Sequence, residues 1–527
     1  MIHLPKEETK LMVAVHGWSG ILLGLLLYAV VLTGTVAVFA EEIGIWSAGH
    51  RETVSAFERP IDAAMRALGE KTPEKYRRDV SIFEIGDHRL GVFFHDHATD
   101  EDGHFTEKGI YYQTNADGSI ARQIEGFSED VFGPRNDDAL SSFLVDTHVQ
   151  LHVPNPWGLV LTGVLGLAML IAAVSGLLIH RHLFKDIFTL RRKANPVLVD
   201  RDRHSVAGSW SLPFAFLLAF TGSYFSFFGT IGVPVVAMAA FGGDVEAMSE
   251  AVFGSTAKPD PTPKAIGNLD RIAADAKARA GGAPTFMTIE HYGRADASVT
   301  TFHEPAEGHL SAPTLVYKGA TAEFDRVKPG IGTTPSMGGT LAAVMGPIHF
   351  GNFAGMLSKA VWFGLGFATC FVTLTGLRLW LARRREGPRS FDWLERATTV
   401  VGIGLPFALA VCAAAFFVAY PLDRAVFWTP AAFLAASAAA ILAACLLRTH
   451  AQLDRLLQIA TGVVLAALPA IRLITGGPGW GEAIAAGQPI IIALDIAMVL
   501  GGGWVLWHQF GSRLLRRESQ PVLQPAE

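Results

Sequence analysis

The chain has 527 residues; half are hydrophobic and 17% are Asp, Glu, Lys or Arg, giving a mean hydropathy of +0.33. So apolar a composition excludes an ordinary soluble protein and points to the membrane. The net charge of −5 and the lack of a basic tract exclude nucleic acid as a partner, and three cysteines scattered in apolar runs (Cys370, Cys412, Cys445) exclude a disulfide framework or a Cys-rich metal site.

The first apolar run, from about Leu11 to Ala40, is too long for a signal-peptide core. It ends in Phe39-Ala40-Glu41-Glu42 without a small-x-small cleavage site, so it reads as an uncleaved first span. Crossing a hydrocarbon core of ~30 Å takes ~20 residues. Eight runs meet that length: 13–39, 156–180, 206–229, 356–381, 399–420, 426–447, 456–475 and 488–510. Pro406, Pro469 and Gly501–Gly503 blur the limits of the last four. The expected division is span 1 in 1–40, a first outer domain in 41–147 and spans 2 and 3 in 148–240. A second outer domain in 241–347 and span 4 in 348–385 follow, then a module of spans 5–8 in 386–512 and a tail in 513–527.

Basic residues fall in alternate loops: Lys6 and Lys10, Arg181 to Arg203, Arg383 to Arg396, Arg448 to Arg455, and Arg513 to Arg517. By the positive-inside rule these five loops are cytoplasmic, so both termini lie inside and both long hydrophilic stretches outside. Each outer stretch carries a helix pattern followed by period-two runs. In the first they are Ile61 to Leu68, then Val80 to Ile85, Leu90 to Phe94 and Ile110 to Gln113, with a turn at Asn115 to Gly118. In the second they are Leu269 to Ala280, then Phe286 to Glu290, Val299 to Phe302 and Thr314 to Tyr317. Two small α+β domains are expected.

An internal repeat organises the membrane part. Span 1 opens with His16-Gly17-Trp18-Ser19-Gly20 and carries Thr33-Gly34; span 3 opens with His204-Ser205-Val206-Ala207-Gly208 and carries Thr221-Gly222 at the same spacing. His152, with Gly158 after it, precedes span 2, which ends in Ser175-Gly176-Leu177. His349, with Gly355 after it, precedes span 4, which ends in Thr375-Gly376-Leu377. The unit "span, outer domain, span" thus occurs twice.

Histidine in a bilayer tends to face a bundle interior or a cofactor. His16 and His204 start their spans at one depth; His148, His152 and His349 lie near the opposite face. Opposed imidazoles on neighbouring helices supply two axial bonds to a haem iron. His16 with His204 then holds an inner haem, and His148 or His152 with His349 an outer one. Without a C-x-x-C-H motif, these are about two non-covalent, bis-histidine haems. Gly24, Gly34, Gly166, Gly222 and Gly376 leave room for a flat macrocycle, although close helix packing needs the same residues. His148 and His152, four apart, share a face if they lie on one helix. Spacing to Gly176, compared with His349 to Gly376, favours His148. His180 and His182 sit among arginines, where headgroup contact explains them, and Trp18, Trp157, Trp210 and Trp362 suit interfacial anchoring. In the first outer segment His95-Asp96-His97 and His104, with Asp100, Glu101 and Asp102, have the composition of a metal site, and equally that of a solvated hairpin.

The His-x-Trp-x-Gly…Thr-Gly pattern of span 1, the His148-x3-His152-x5-Gly158 entry to span 2, His204 with Trp210, and His349-Phe-Gly-Asn-Phe-Ala-Gly resemble the PepSY-associated transmembrane family. Tyr111 to Gly118 is similar to the strand-turn signature of its PepSY-type domains. The resemblance covers residues 10–385. It implies a bacterial inner-membrane protein with a four-helix bundle that binds b-type haem, two periplasmic PepSY-like α+β domains and four further spans. It also implies reduction of ferric siderophores or other Fe(III) chelates, with release of Fe(II) for iron uptake. Six-coordinate haem leaves no open position for oxygen or substrate, which suits electron transfer, and no acid–base catalytic residue is expected. No dinucleotide or flavin fingerprint occurs, so electrons come from a separate donor, a cytoplasmic reductase or the quinol pool. Two other readings compete: a PepSY-type binding, regulatory or iron-uptake accessory protein without cofactor, and a transporter, since repeated spans also describe permeases. Asp495 is the clearest acid inside a span.

Overall fold

The structure is a computed structural model. It describes residues 5–49, 55–85, 89–99, 105–115, 117–180, 188, 190–191, 195–244, 247–248, 251–252, 259–306, 308–332, 334–384 and 391–518. Among them, eight helices are long and apolar enough to cross a membrane: Lys6–Ala37, Trp157–Ile179, Val197–Phe241, Gly355–Ala382, Asp392–Leu422, Ala425–Leu446, His450–Ile474 and Pro489–Phe510. These are the eight expected spans, in order. Spans 1 and 3 reach beyond the apolar cores that mark them in sequence. Spans 3 and 5 each contain a π-helical turn, Phe228–Gly232 and Val400–Gly404.

The chain divides into two compact units, one of Met1–Gly49, Pro134–Thr230 and Ala360–Glu527, the other of His50–Gly133 and Ile231–Lys359. In the helical unit, small residues let spans 2 and 3 approach closely: Ser223 Oγ donates to the Gly163 carbonyl at 3.1 Å, and a methyl on Gly166 would meet the Ala219 carbonyl at 3.1 Å. Helix His450–Ile474 opens on a capping box in which Thr449 and Gln452 satisfy each other's backbone N–H. Arg396 donates to the carbonyls of Ala444, Leu447 and Arg448 and so closes the C-terminus of span 6.

Two helices in this unit or its neighbour were not legible as spans or as strands. Ala139–Gln150 precedes span 2 and Met337–Phe350 precedes span 4; at 12 and 14 residues both are too short to cross. Helix Ala139–Gln150 ends before His152. The chain turns through Leu151 and His152 with φ of 52° and 59°, a left-handed corner that non-glycine residues seldom adopt. His148 and His152 therefore do not share a helix face, contrary to the expectation from their spacing.

The second unit corrects a second expectation. The two outer segments do not make two sheets. Strands β1 (Asp79–Glu84), β2 (Leu90–Thr99), β3 (Phe105–Thr114), β4 (Ile120–Phe127), β5 (Pro284–Glu290), β6 (Ser298–His303), β7 (Thr314–Lys318) and β8 (Glu323–Lys328) form one antiparallel sheet, ordered β4-β3-β2-β1-β5-β6-β7-β8. Two four-stranded meanders join where β1 pairs with β5, Val80 opposite Ile289 and Ile82 opposite Met287. Those residues, with Val92, Phe94 and Val299, bury one face under Met65 and Leu68 of helix Asp62–Lys71 and Ile272 and Ala276 of helix Leu269–Ala280. The helices also cap one another: Asp62 accepts from the Leu269 amide at 2.9 Å, and Asp270 from the Ile61 amide at 2.5 Å. Helix Asp62–Lys71 has no side-chain cap of its own, whereas Asn268 also caps Leu269–Ala280 by accepting from the Arg271 amide at 2.8 Å. Strand β8 escaped the sequence reading because charges lie on both of its faces, Glu323 and Asp325 exposed and Arg326 and Lys328 partly buried.

Candidate functional site

In the helical unit a cavity of about 760 Å³ opens among spans 1, 2, 3 and 4, lined by His16, Met169, Gly176, His204, Gly376 and Leu377 among others. The two histidine rings approach edge-on, with centroids 6.2 Å apart and planes at 71°. Each is tied in the same way to the helix beside it. His16 Nδ1 lies 3.0 Å from the Ala172 carbonyl and 3.2 Å from Ser175 Oγ. His204 Nδ1 lies 3.0 Å from the Val372 carbonyl and 3.3 Å from Thr375 Oγ1. A carbonyl only accepts, so Nδ1 carries the proton in both rings and Nε2 is left with its lone pair. That is the tautomer a metal-ligating imidazole needs, oriented by a second contact as such ligands are.

The glycines explain how the rings fit. A methyl on Gly176 would stand 3.3 Å from His16 Cε1, and one on Gly376 3.0 Å from His204 Cε1. The repeated Ser-Gly and Thr-Gly pairs therefore form imidazole seats, the hydroxyl taking Nδ1 and the glycine making room for the ring. The sequence reading noticed these pairs as part of the repeat but assigned Gly376 to packing or a macrocycle and gave Gly176 no role. Gly24 and Gly166 do serve packing, against Leu377 and against Ala219 with Ser223.

His148 has a third such seat. It is half-buried, its Nδ1 lies 2.9 Å from the Val30 carbonyl, and a methyl on Gly34 would fall 2.5 Å from its Cε1. His152 is placed differently. Thr147 Oγ1 donates to the Phe143 carbonyl at 2.6 Å, so at 2.9 Å from His152 Nε2 it accepts that nitrogen's proton. The His152 ring stacks on Phe143 at 4.7 Å. The geometry favours His148 as a ligand and gives His152 the corner. His349 lies in the last turn of helix Met337–Phe350 in the other unit, with its ring 5.6 Å from that of Phe350.

One end of the cavity is basic, with Lys10, His180, Arg191, Arg201, Arg383 and Arg384 along it. Asp202 there is already held by Arg191 through Nε at 2.7 Å and Nη2 at 2.6 Å, which leaves the net charge of this end positive and suited to acidic groups on a ligand. Trp18, Trp157 and Trp210 are exposed, as outward-facing anchors would be, whereas Trp362 packs on Phe214 at 5.4 Å. His182 lies outside the described residues.

The His95 cluster in the sheet unit is less open to a metal. His95 is buried on β2, with Nε2 3.3 Å from Ser81 Oγ and Nδ1 3.6 Å from Glu107. Burial and the neighbouring His97 push its pKa down to about 4, so it is neutral at pH 7. His97 stands 4.0 Å from Asp79. The nearby acids face a guanidinium instead, Arg78 being 3.7 Å from Asp79 and 3.4 Å from Asp96. His104 lies outside the described residues; among those described, no group of three or more His, Cys, Asp or Glu is placed to hold a metal ion.

Asp495, the clearest acid inside a span, is fully buried and saturated. It accepts from Arg472 Nε at 3.2 Å and Nη2 at 2.6 Å, and from the indoles of Trp46 and Trp480 at 2.8 Å each. A carboxylate with four donors is a structural tie rather than a carrier.

An uncharacterised protein of Pseudomonas aeruginosa is 27% identical over 407 residues, which take in 72% of this chain and 96% of that protein. The family model described as the PepSY-associated TM region matches residues 13–383, the stretch that carries all three imidazole seats, and the chain belongs to that family.

Proposed function

We propose that the protein is a di-haem electron carrier of the bacterial inner membrane. In this reading His16 and His204 hold an inner b haem, His148 and His349 an outer one, and ferric siderophores or similar Fe(III) chelates are reduced on the periplasmic side. The observation that carries it is the spacing of His16 and His204. A metal–imidazole bond is about 2.0 Å and the nitrogen lies about 1.1 Å from the ring centre, so two rings sharing one iron stand about 6.2 Å apart. The observed 6.2 Å fits, and both Nδ1 protons are already committed to carbonyls. The outer pair rests on the seat of His148 and on the sequence repeat that makes His349 its counterpart.

When bound, such haems supply one-electron transfer between the two faces. The chain's own part is to hold each imidazole in one tautomer, to fill the iron's coordination so that oxygen finds no open position, and to offer basic side chains at the cavity's end to acidic haem groups. The positive-inside pattern puts that end and both termini on the cytoplasmic side, where a reductase or quinol is the donor. Fe(III) is the harder ion, so a chelate that gains one electron loosens its hold.

With a reductant trapped inside proteoliposomes, the protein should reduce a ferric siderophore added outside and release Fe(II) to a colorimetric trap. Haem that is reduced but never reoxidised by any ferric chelate would reject that acceptor. The imidazole seats give a second test. Gly376→Val should weaken binding of the inner haem by about 10–100-fold, while Gly364→Ala, where a methyl meets nothing within 4 Å, should leave the absorption spectrum unchanged. Equal spectra from both variants would remove the seats from the argument.

A further inference from the structure

Residues beyond 383 lie outside the stretch the family model matches, yet they pack on the helix that carries His148. Helix Ala139–Gln150 contacts spans 5 and 6. Just before it, Asn136 bridges the turn between those spans, donating through Nδ2 to the Tyr420 carbonyl at 3.0 Å and accepting from the Ala425 amide at 2.8 Å. Phe433 of span 6 meets Phe143 edge-on at 5.3 Å and covers the His152 ring at 5.6 Å. From the other side, helix Ala40–Ala48 packs on Ala139–Gln150, with Ser141 facing Gly44. That helix is pinned by Trp46 to Asp495 of span 8. One contiguous core runs through Trp46, Leu140, Phe143, Phe416, Phe433 and Ile491.

The place where this packing is applied matters. Two successive non-glycine residues, Leu151 and His152, hold left-handed backbone, a conformation that persists only when surrounding contacts impose it. The contacts that impose it are the His152–Thr147 hydrogen bond, the stack on Phe143 and the Phe433 cover. Thr147 is the residue immediately before His148. A shift of that corner turns the last helical turn, and with it the imidazole seated at Val30 and Gly34.

We propose that the four C-terminal spans are a positioning scaffold for His148, acting through Asn136, Phe433 and the His152 corner. As a statement about a haem ligand this rests on the reading above; as a statement about helix Ala139–Gln150 it does not. The test uses the full chain in nanodiscs, with hydrogen exchange followed at residues 139–150 and at 157–179. Phe433→Ala and Asn136→Ala should each raise exchange at 139–150 by about tenfold and leave 157–179 unchanged, and Phe433→Leu should restore protection. In the same samples the highest g value and the midpoint potential of the His148 haem should shift while those of the His16–His204 haem stay fixed. Wild-type exchange in both variants would overturn the scaffold. Raised exchange with unmoved haem signals would overturn the positioning of His148. A protein without haem would reject the haem reading and leave the exchange result to decide the scaffold. Should Phe433→Ala fail to insert, Asn136→Ala, which removes two hydrogen bonds and almost no core volume, carries the test.

Discussion

His16→Ala or His204→Ala should lower the haem content from about two to about one per chain, because a bis-imidazole iron that loses one axial bond is no longer held from both sides. The pyridine haemochrome assay against protein mass reads the number directly. Spectra of the remaining haem should keep its six-coordinate, low-spin form. Ser175→Ala and Thr375→Val, by contrast, remove only the second partner of each Nδ1, and the carbonyls of Ala172 and Val372 still fix the tautomer. Those variants should retain both haems. A wild-type content near zero would end the electron-carrier reading, and loss of both haems from either histidine variant would signal collapse of the bundle instead of loss of a ligand.

Arg472→Met should cost about 3–5 kcal/mol, the usual penalty for removing one partner of a buried ion pair. Both side chains are completely shielded from solvent, so the Asp495 carboxylate would keep two indole donors and lose its counter-charge. Asp495→Leu combined with Arg472→Met should recover part of that loss, less about 1–3 kcal/mol for the buried Trp46 N–H left without an acceptor. Thermal denaturation in detergent, followed by tryptophan fluorescence, ranks the variants. An Arg472→Met protein as stable as wild type would show that the pair contributes nothing.

The legible parts of this chain are those with a local signal. Eight spans follow from the length of apolar runs, and the pairing of His16 with His204 follows from the repeat. Helix Ala139–Gln150 had no such signal, since six of its twelve residues are polar and so short a mixed run reads equally as strand, loop or the fringe of a span. The imidazole seats were visible as Ser175-Gly176 and Thr375-Gly376 but not interpretable, because a glycine that receives a ring and one that receives a helix look alike in sequence. His152 was misplaced because spacing of four implies a shared face only if the helix continues, and two left-handed residues stop it. The union of the two outer segments was beyond reach for a different reason. Pairing of β1 with β5 joins residues separated by two spans, and a strand edge carries no label for its partner.

That union sets an order of events in biosynthesis. The first meander is complete by residue 127, but its β1 edge has no neighbour until β5, at Pro284–Glu290, emerges about 160 residues later, and at 5–20 residues per second that takes roughly 8–32 s. Throughout that interval a row of unpaired amides and carbonyls along Asp79–Glu84 stands exposed, the kind of edge that recruits foreign strands. Helix Asp62–Lys71 waits as well, because the carboxylate of Asp270 that receives the Ile61 amide has yet to be made. The sheet is therefore closed only after spans 2 and 3 have been threaded through the bilayer, which makes its closure a report on successful insertion. A chain stalled after span 2 would present a sticky half-domain to whatever proteases and chaperones patrol that compartment.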